Sequence, residues 1–175
     1  AGLFGIGGGL ITVPILFYIF SMSGIEPTYL MHLAVGTSFC IIIPTSIVSV
    51  LTHHQHKAVD FSIVKGYGFF VAVGVILGTI LAASLKTKPL ILFFTIVVYI
   101  LAFYLLFLKE KEEKIEISMG LLANGISGII IGFISAPMGI GGAIMNVPIL
   151  KFFGYSINKA IGSAAAIGFL IALFG

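Results

Sequence analysis

Charge in this sequence is confined to short islands, and that confinement decides what solvent the chain can fold in. Residues 1–25, 27–56, 66–85, 89–108, 117–150 and 160–175 carry no Asp, Glu, Lys or Arg. A helix that crosses a bilayer needs about 17–25 predominantly apolar residues. Most of these stretches fit one crossing; 117–150 is too long for one and 160–175 is slightly short. The chain is 59% hydrophobic and 9% charged, where a soluble domain is about 45–50% and 25%. Fifteen charged side chains cannot cover a soluble fold of 175 residues. A water-soluble enzyme, a nucleic-acid-binding module and a disordered chain are excluded together. The partner of most of this surface is the lipid bilayer, with no nucleic acid expected, and the chain is expected to be an integral protein of the cell membrane.

The acids are Glu26, Asp60 and the group Glu110, Glu112, Glu113 and Glu116, and all nine basic residues are Lys. Hydropathy and breakers together predict a glycine-rich segment and an apolar helix within 1–20, and helices over 30–52, 64–85, 89–108, 118–135, 143–153 and 158–175. Pro89 stands at the start of its helix, where a missing N–H costs little. The segment 89–108 contains no glycine and is rich in Leu, Ile, Phe, Val and Tyr, as befits a lipid-facing outer helix. The chain lacks an initiator Met and stops inside an apolar run, so it reads as a piece of a longer membrane protein. If each long segment crosses once, Lys86, Lys88, Lys151 and Lys159 face one side, and Lys57, Lys65, Lys109, Lys111 and Lys114 the other. That distribution has no bias.

The sequence repeats itself. Residues 5–16 read GIGGGLITVPIL and residues 139–150 read GIGGAIMNVPIL, identical at eight of twelve positions. Downstream, Ala34-Val35-Gly36-Thr37-Ser38 is echoed by Ala160-Ile161-Gly162-Ser163-Ala164. The expected organisation is a first transmembrane repeat over 1–108, a charged linker over 109–117 and a second repeat over 118–175. Internal repeats of this kind mark many secondary transporters.

The glycine motif is the strongest chemical signal. Each glycine costs about 1 kcal/mol against Ala in a helix, and proline removes a backbone donor. The flanks are nevertheless purely apolar, so the break lies at membrane depth. Such a break is tolerated only where protein buries it or where it lines a cavity. A half-helix starting there points the positive end of its dipole at the break, a seat for an anion. A continuous helix over 118–153 would span about 54 Å, against a hydrocarbon core of roughly 30 Å. It must fold as two pieces, with Ala136 to Gly142 as the turn.

Small residues at i, i+4 have a different use, close helix packing. Asn124, Gly128, Gly132 and Ala136 form one such face; Gly74, Gly78 and Ala82 another; Ala164, Gly168 and Ala172 a third. The two glycine motifs, four glycines in five positions in the first, exceed what packing requires. Gly5, Gly7, Gly8, Gly9, Gly139, Gly141 and Gly142 are therefore candidate substrate-binding residues. Thr12 and Asn146, at equivalent positions one turn later, and Thr37, Ser38 and Ser163 are the candidate polar ligands. The same glycines and proline predict the same backbone in both motif copies, with the two copies close together. Pro14, Pro44 and Pro148 are expected to kink their helices.

No acid lies in a span, so an intramembrane carboxylate relay is not available. His53, His54 and His56 close a helix at the membrane boundary and read as an interfacial polar cap, not a metal site. His32 reads as a lone interfacial residue. Cys40, the single cysteine, excludes an internal disulfide and reads as core. Without a nucleophile, an acid–base pair or a metal, the chain is not read as an enzyme, and no cofactor is expected.

The doubled motif, Gly5 through Pro14 then Ala34 through Ser38, and Gly139 through Pro148 then Ala160 through Ser163, resembles the sulfite exporter TauE/SafE family of membrane transport proteins. The resemblance covers essentially the whole chain. In the second copy Ala143 replaces the third glycine and Ser163-Ala164 replaces Thr-Ser. The resemblance implies an exporter or permease of sulfite, sulfoacetate or a related small sulfur-containing anion. Together these features predict an all-α, polytopic membrane protein of two related helical repeats with glycine-broken helices. The expected function is secondary transport of a small anion, with an anion channel or a non-transporting membrane assembly subunit as the rival readings.

Overall fold

The computed structural model describes residues 8–107 and 120–175; the charged linker, Gly5 and Gly7 lie outside the described residues. All regular structure among them is helical: α1 Gly9–Met22, α2 Leu30–Gln55, α3 Phe61–Ser84, α4 Thr87–Phe107, α5 Leu121–Met138, α6 Ala143–Phe152 and α7 Ile157–Phe174. Four of these, α2, α3, α4 and α7, are long and apolar enough to cross a membrane. The chain is an all-α polytopic membrane protein.

Local signals set the boundaries. α3 starts earlier than its hydropathy suggests because the Asp60 side chain accepts the Ser62 N–H at 3.0 Å, an N-cap. Pro89 falls in the first turn of α4, not at its first residue; its missing N–H would have had no intrahelical partner there either. α1, α2 and α6 continue through Pro14, Pro44 and Pro148. In α2 the Thr45 hydroxyl donates to the Ile41 carbonyl at 2.9 Å and Ser46 to Ile43 at 2.9 Å, supplying side-chain donors around the proline. Cys40 is exposed on α2, not in the core.

α4 is the outermost span. Over Thr87–Tyr104 only 17% of residues are buried, against 50% over Ile157–Phe174 of α7. The small-residue faces make the tightest contacts. A Cβ on Gly74, Gly78 or Gly132 would overlap the backbone of Ile129, Phe133 or Val71 respectively, and one on Gly128 would lie 2.9 Å from Phe70 Cβ. These pairings advance together in sequence, so α3 and α5 run parallel.

Directions follow from these contacts. α2 and α3 join through Ala58 and Asp60, which mark one end of the bundle. α7 begins at that same end: Gly162 packs on Ala58, Ser163 Oγ accepts the Asp60 N–H at 3.0 Å, and Lys159 Nζ lies 3.4 Å from Asp60 Oδ2. α6 starts deep in the bundle and ends at Phe152, just before α7 begins at Ile157. It therefore runs back toward the Asp60 end, and α5–α6 is a re-entrant hairpin. α1 does the reverse. It leaves the interior toward the opposite end, where α2 starts and where His32 Nε2 meets the Ala82 carbonyl at 3.1 Å. The equivalent units α1–α2 and α6–α7 thus run in opposite directions across the membrane.

The re-entrant hairpin corrects the even lysine count. Lys57, Lys65, Lys151 and Lys159 lie at the Asp60 end, and Lys86 and Lys88 at the other. Lys109, Lys111 and Lys114 lie outside the described residues. Loops rich in Lys stay in the cytoplasm. In a Cys40→Ala background, a membrane-impermeant thiol reagent should therefore modify Lys65→Cys and Lys151→Cys from the cytoplasmic face only, and Lys88→Cys from the opposite face only. Modification of Lys151→Cys on the Lys88 side would restore a single crossing for 118–153 and remove the hairpin.

Candidate functional site

The break in the second motif is narrower than the sequence suggests, because α5 stays helical through Pro137 and Met138. It ends in a left-handed glycine cap. Gly139 has φ 63°, its N–H bonds to the Ala136 carbonyl at 3.2 Å, and the Ile140 N–H bonds to that of Ser135 at 3.3 Å. Gly142, at φ 67°, turns the chain a second time and opens α6. Only glycine adopts two such turns so close together without strain. At its first described residue the first motif does not copy this backbone. Gly8, the counterpart of Gly142, is right-handed at φ −54° and simply precedes α1. The chain must reverse at Gly142 to make the α5–α6 hairpin.

The two motifs nevertheless meet. A Cβ on Gly9 would overlap the Gly139 carbonyl and lie 2.7 Å from Ile140 Cα. The backbones of the two copies are therefore in contact. Gly139 also rests on Val13 of α1 and Val35 of α2. Ser38, fully buried about two turns into α2, donates its hydroxyl to the Gly139 carbonyl at 2.8 Å. Gly141 packs on Ile42 and Gly168, and Gly142 on Ile171. The start of α1 thus packs on the turn between α5 and α6 inside the bundle.

The candidate polar ligands separate into two groups. Ser38 and Asn146 lie at the junction. Thr12 bonds back to its own helix, donating to the Gly8 carbonyl at 2.7 Å. Thr37 is half-buried on α2. Ser163 sits at the Asp60 end, away from the glycine break, because Gly162 seats α7 against Ala58. Sequence reasoning passed over Tyr67 and Ser135. Tyr67, on α3, is buried and donates its hydroxyl to Asn146 Oδ1 at 2.9 Å. Ser135, on α5, is fully buried beside Gly142. Each is the polar residue within an otherwise apolar or small-residue face, a signal visible only once the faces are known. Among the described residues no three His, Cys, Asp or Glu side chains are grouped to hold a metal ion. His54 instead stacks edge-on against Phe61, with centroids 5.4 Å apart.

α1 and α6 both begin at glycine motifs inside the bundle and leave it toward opposite ends, an arrangement seen in transporters built from inverted repeats. The family model described as "Sulfite exporter TauE/SafE" matches residues 1–175, and the chain belongs to that family. It is 34% identical, over its whole length and 66% of the relative's, to a "Probable membrane transporter protein" of Haemophilus influenzae. It is 30% identical to a protein of the same description from Methanocaldococcus jannaschii, over 94% of this chain and 61% of that one. Similarity at 25% identity extends to YunE of Bacillus subtilis, over 99% of this chain and 70% of the relative. The chain thus spans less than two thirds of the length of the first two relatives. No solved structure matches it.

The junction makes a graded prediction about glycines. Gly9→Ala should lower stability by about 1–3 kcal/mol, because its Cβ has backbone on the other side and neither helix can yield freely. Gly36→Ala, with nothing within 4 Å of the added carbon, should be neutral or stabilising by up to about 1 kcal/mol, as expected for a helix interior. Thermal unfolding of both variants in detergent checks the contrast.

Proposed function

We propose that this chain forms the core of a secondary transporter that moves a small anion, sulfite or an organosulfonate, across the cell membrane. The observation that carries this reading is the contact of Gly9, at the start of α1, with the Gly139–Ile140 turn that leads into α6. Each helix directs its free N–H groups and the positive end of its dipole inward. Two such ends face one region from opposite sides, which suits an anion that must be exposed to each side in turn. Family membership and the transporter descriptions of the relatives support the same class of function, and the family's name supplies the sulfur oxyanion. Residues 1–108 and 118–175 serve as the two related units, connected by 109–117. Within the junction, Gly139, Gly141, Gly142 and Asn146 are the proposed binding residues of the second half; Gly8, Gly9 and Ser38 bring in the first. Thr12, Thr37 and Ser163 are assigned to local structure.

The full-length protein in liposomes should take up labelled sulfite with saturating kinetics. Gly142→Val should abolish uptake in a protein that still inserts, because a β-branched residue resists positive φ and fills the approach to the α6 backbone. Thr12→Val should retain most uptake, since its hydroxyl is already engaged by Gly8. Unitary currents in place of saturable flux would reassign the protein as a channel; no flux of any anion would leave the assembly-subunit reading.

A further inference from the structure

We propose that Ser135, Asn146 and the first turn of α6 form one oxyanion seat, and that Tyr67 is the positioning residue that aims it. This rests on the anion-transport reading above and gives it specific donors.

Ser135 Oγ and Asn146 Nδ2 are buried and have no hydrogen-bond partner among the described residues, although both residues are 0% exposed. Buried polar groups without partners are rare, and each calls for an explanation. Here both surround one point. The position a Cβ on Gly142 would occupy lies 2.7 Å from Asn146 Nδ2 and 3.5 Å from Ser135 Oγ. That point is at the N-terminus of α6, a ten-residue helix, whose leading N–H groups at Ala143 and Ile144 have no acceptor within the helix.

Tyr67 explains why the amide faces this way. Its hydroxyl donates to Asn146 Oδ1 at 2.9 Å, which occupies the acceptor end of the amide and leaves the NH2 end toward Gly142. The converging groups are then donors: a hydroxyl, an amide NH2 and backbone N–H groups. A cluster that offers donors and no carboxylate selects an oxyanion over a cation. None of these groups is a carboxylate, imidazole or amine, so the charge at the seat is brought by the ligand. Ile171 Cδ1 crowds the same point from α7; the seat takes one oxygen of a sulfite or sulfonate group when Ile171 turns aside. A Cβ at Gly142 would itself occupy this point, so glycine is needed there for a ligand to reach it once Ile171 has moved.

The test uses the full-length protein, with sulfite as the probe. Thermal unfolding in detergent is measured with and without it, alongside flux in liposomes. Ser135→Ala removes an unpartnered buried hydroxyl, so the ligand-free protein should melt no lower than wild type. Its sulfite-induced rise in Tm should shrink, and its KM should rise about tenfold or more at unchanged maximal rate, the loss expected for a hydrogen bond to a charged group. Tyr67→Phe should raise KM in the same direction, yet add nothing in an Asn146→Leu background, because it acts only through that amide. Wild-type KM and Tm shift in both Ser135→Ala and Tyr67→Phe would overturn the seat and leave a buried water as its occupant. A Ser135→Ala protein that melts lower but binds sulfite normally would overturn it as well, assigning the hydroxyl to structure. In both cases wild-type flux would leave the transporter reading standing. If wild type shows neither flux nor a Tm shift with sulfite, sulfate or methanesulfonate, the transporter reading fails and the seat falls with it.

Discussion

A bilayer offers no partner to an unpaired backbone N–H or C=O, so a helix that stops inside it must be covered by protein. In this molecule the start of α1 covers the break between α5 and α6. Gly9 lies directly on the Gly139–Ile140 backbone, and Ser38 satisfies the Gly139 carbonyl from a third helix. The left-handed cap at Gly139 ties off the end of α5 with its own N–H groups. What remains open is the start of α6, beside which Ser135 and Asn146 are buried. The rest of the fold follows from bringing these segments together at one depth: α2 and α7 flank the junction, and α3 holds α5 in place.

The clamp between α3 and α5 shows how this is achieved without a hydrophobic driving force. Lipid tails are as apolar as leucine, so close contact and dispersion must bring the helices together. Gly74, Gly78, Gly128 and Gly132 remove the side chains that would separate the axes, and backbone meets backbone along several turns. The large residues point outward instead, with Leu92, Tyr99, Phe103 and Leu106 of α4 among the most exposed. The distribution is the reverse of a soluble protein's, where bulk lies inside and polarity outside.

The repeats are related in sequence but not equivalent at their centre. Gly142 is left-handed and Gly8 is right-handed. Asn146 is held by Tyr67 from another helix, whereas Thr12 is held by its own. A hydroxyl one turn into a helix readily donates to the carbonyl four residues back. A longer amide reaches beyond the helix and depends on what it meets. The polar residues beside Gly142 therefore come from the second half, while the first contributes close backbone contact, Ser38 and the Tyr67 hydroxyl.

The sequence alone determined the solvent, the helical class and the location of the breaks. Long charge-free stretches have one physical solution, and glycines clustered at membrane depth have few. The small-residue faces were equally legible, since i, i+4 spacing on a helix is geometry and not context. The tertiary structure decided direction. Nothing in the residues 143–152 says whether α6 continues across the membrane or turns back; that depends on α7 starting beside Asp60, a contact between segments a hundred residues apart. The same fact moved Lys151 and Lys159 to the other side of the membrane and turned an even lysine count into a biased one. It also decided which polar residues meet. Tyr67 and Ser135 are silent in sequence because each lies on a helix whose pattern reads as packing. Their placement beside Gly142 arises only when α3, α5 and α6 are docked, since side-chain convergence between helices is set by packing and not by any one helix's period.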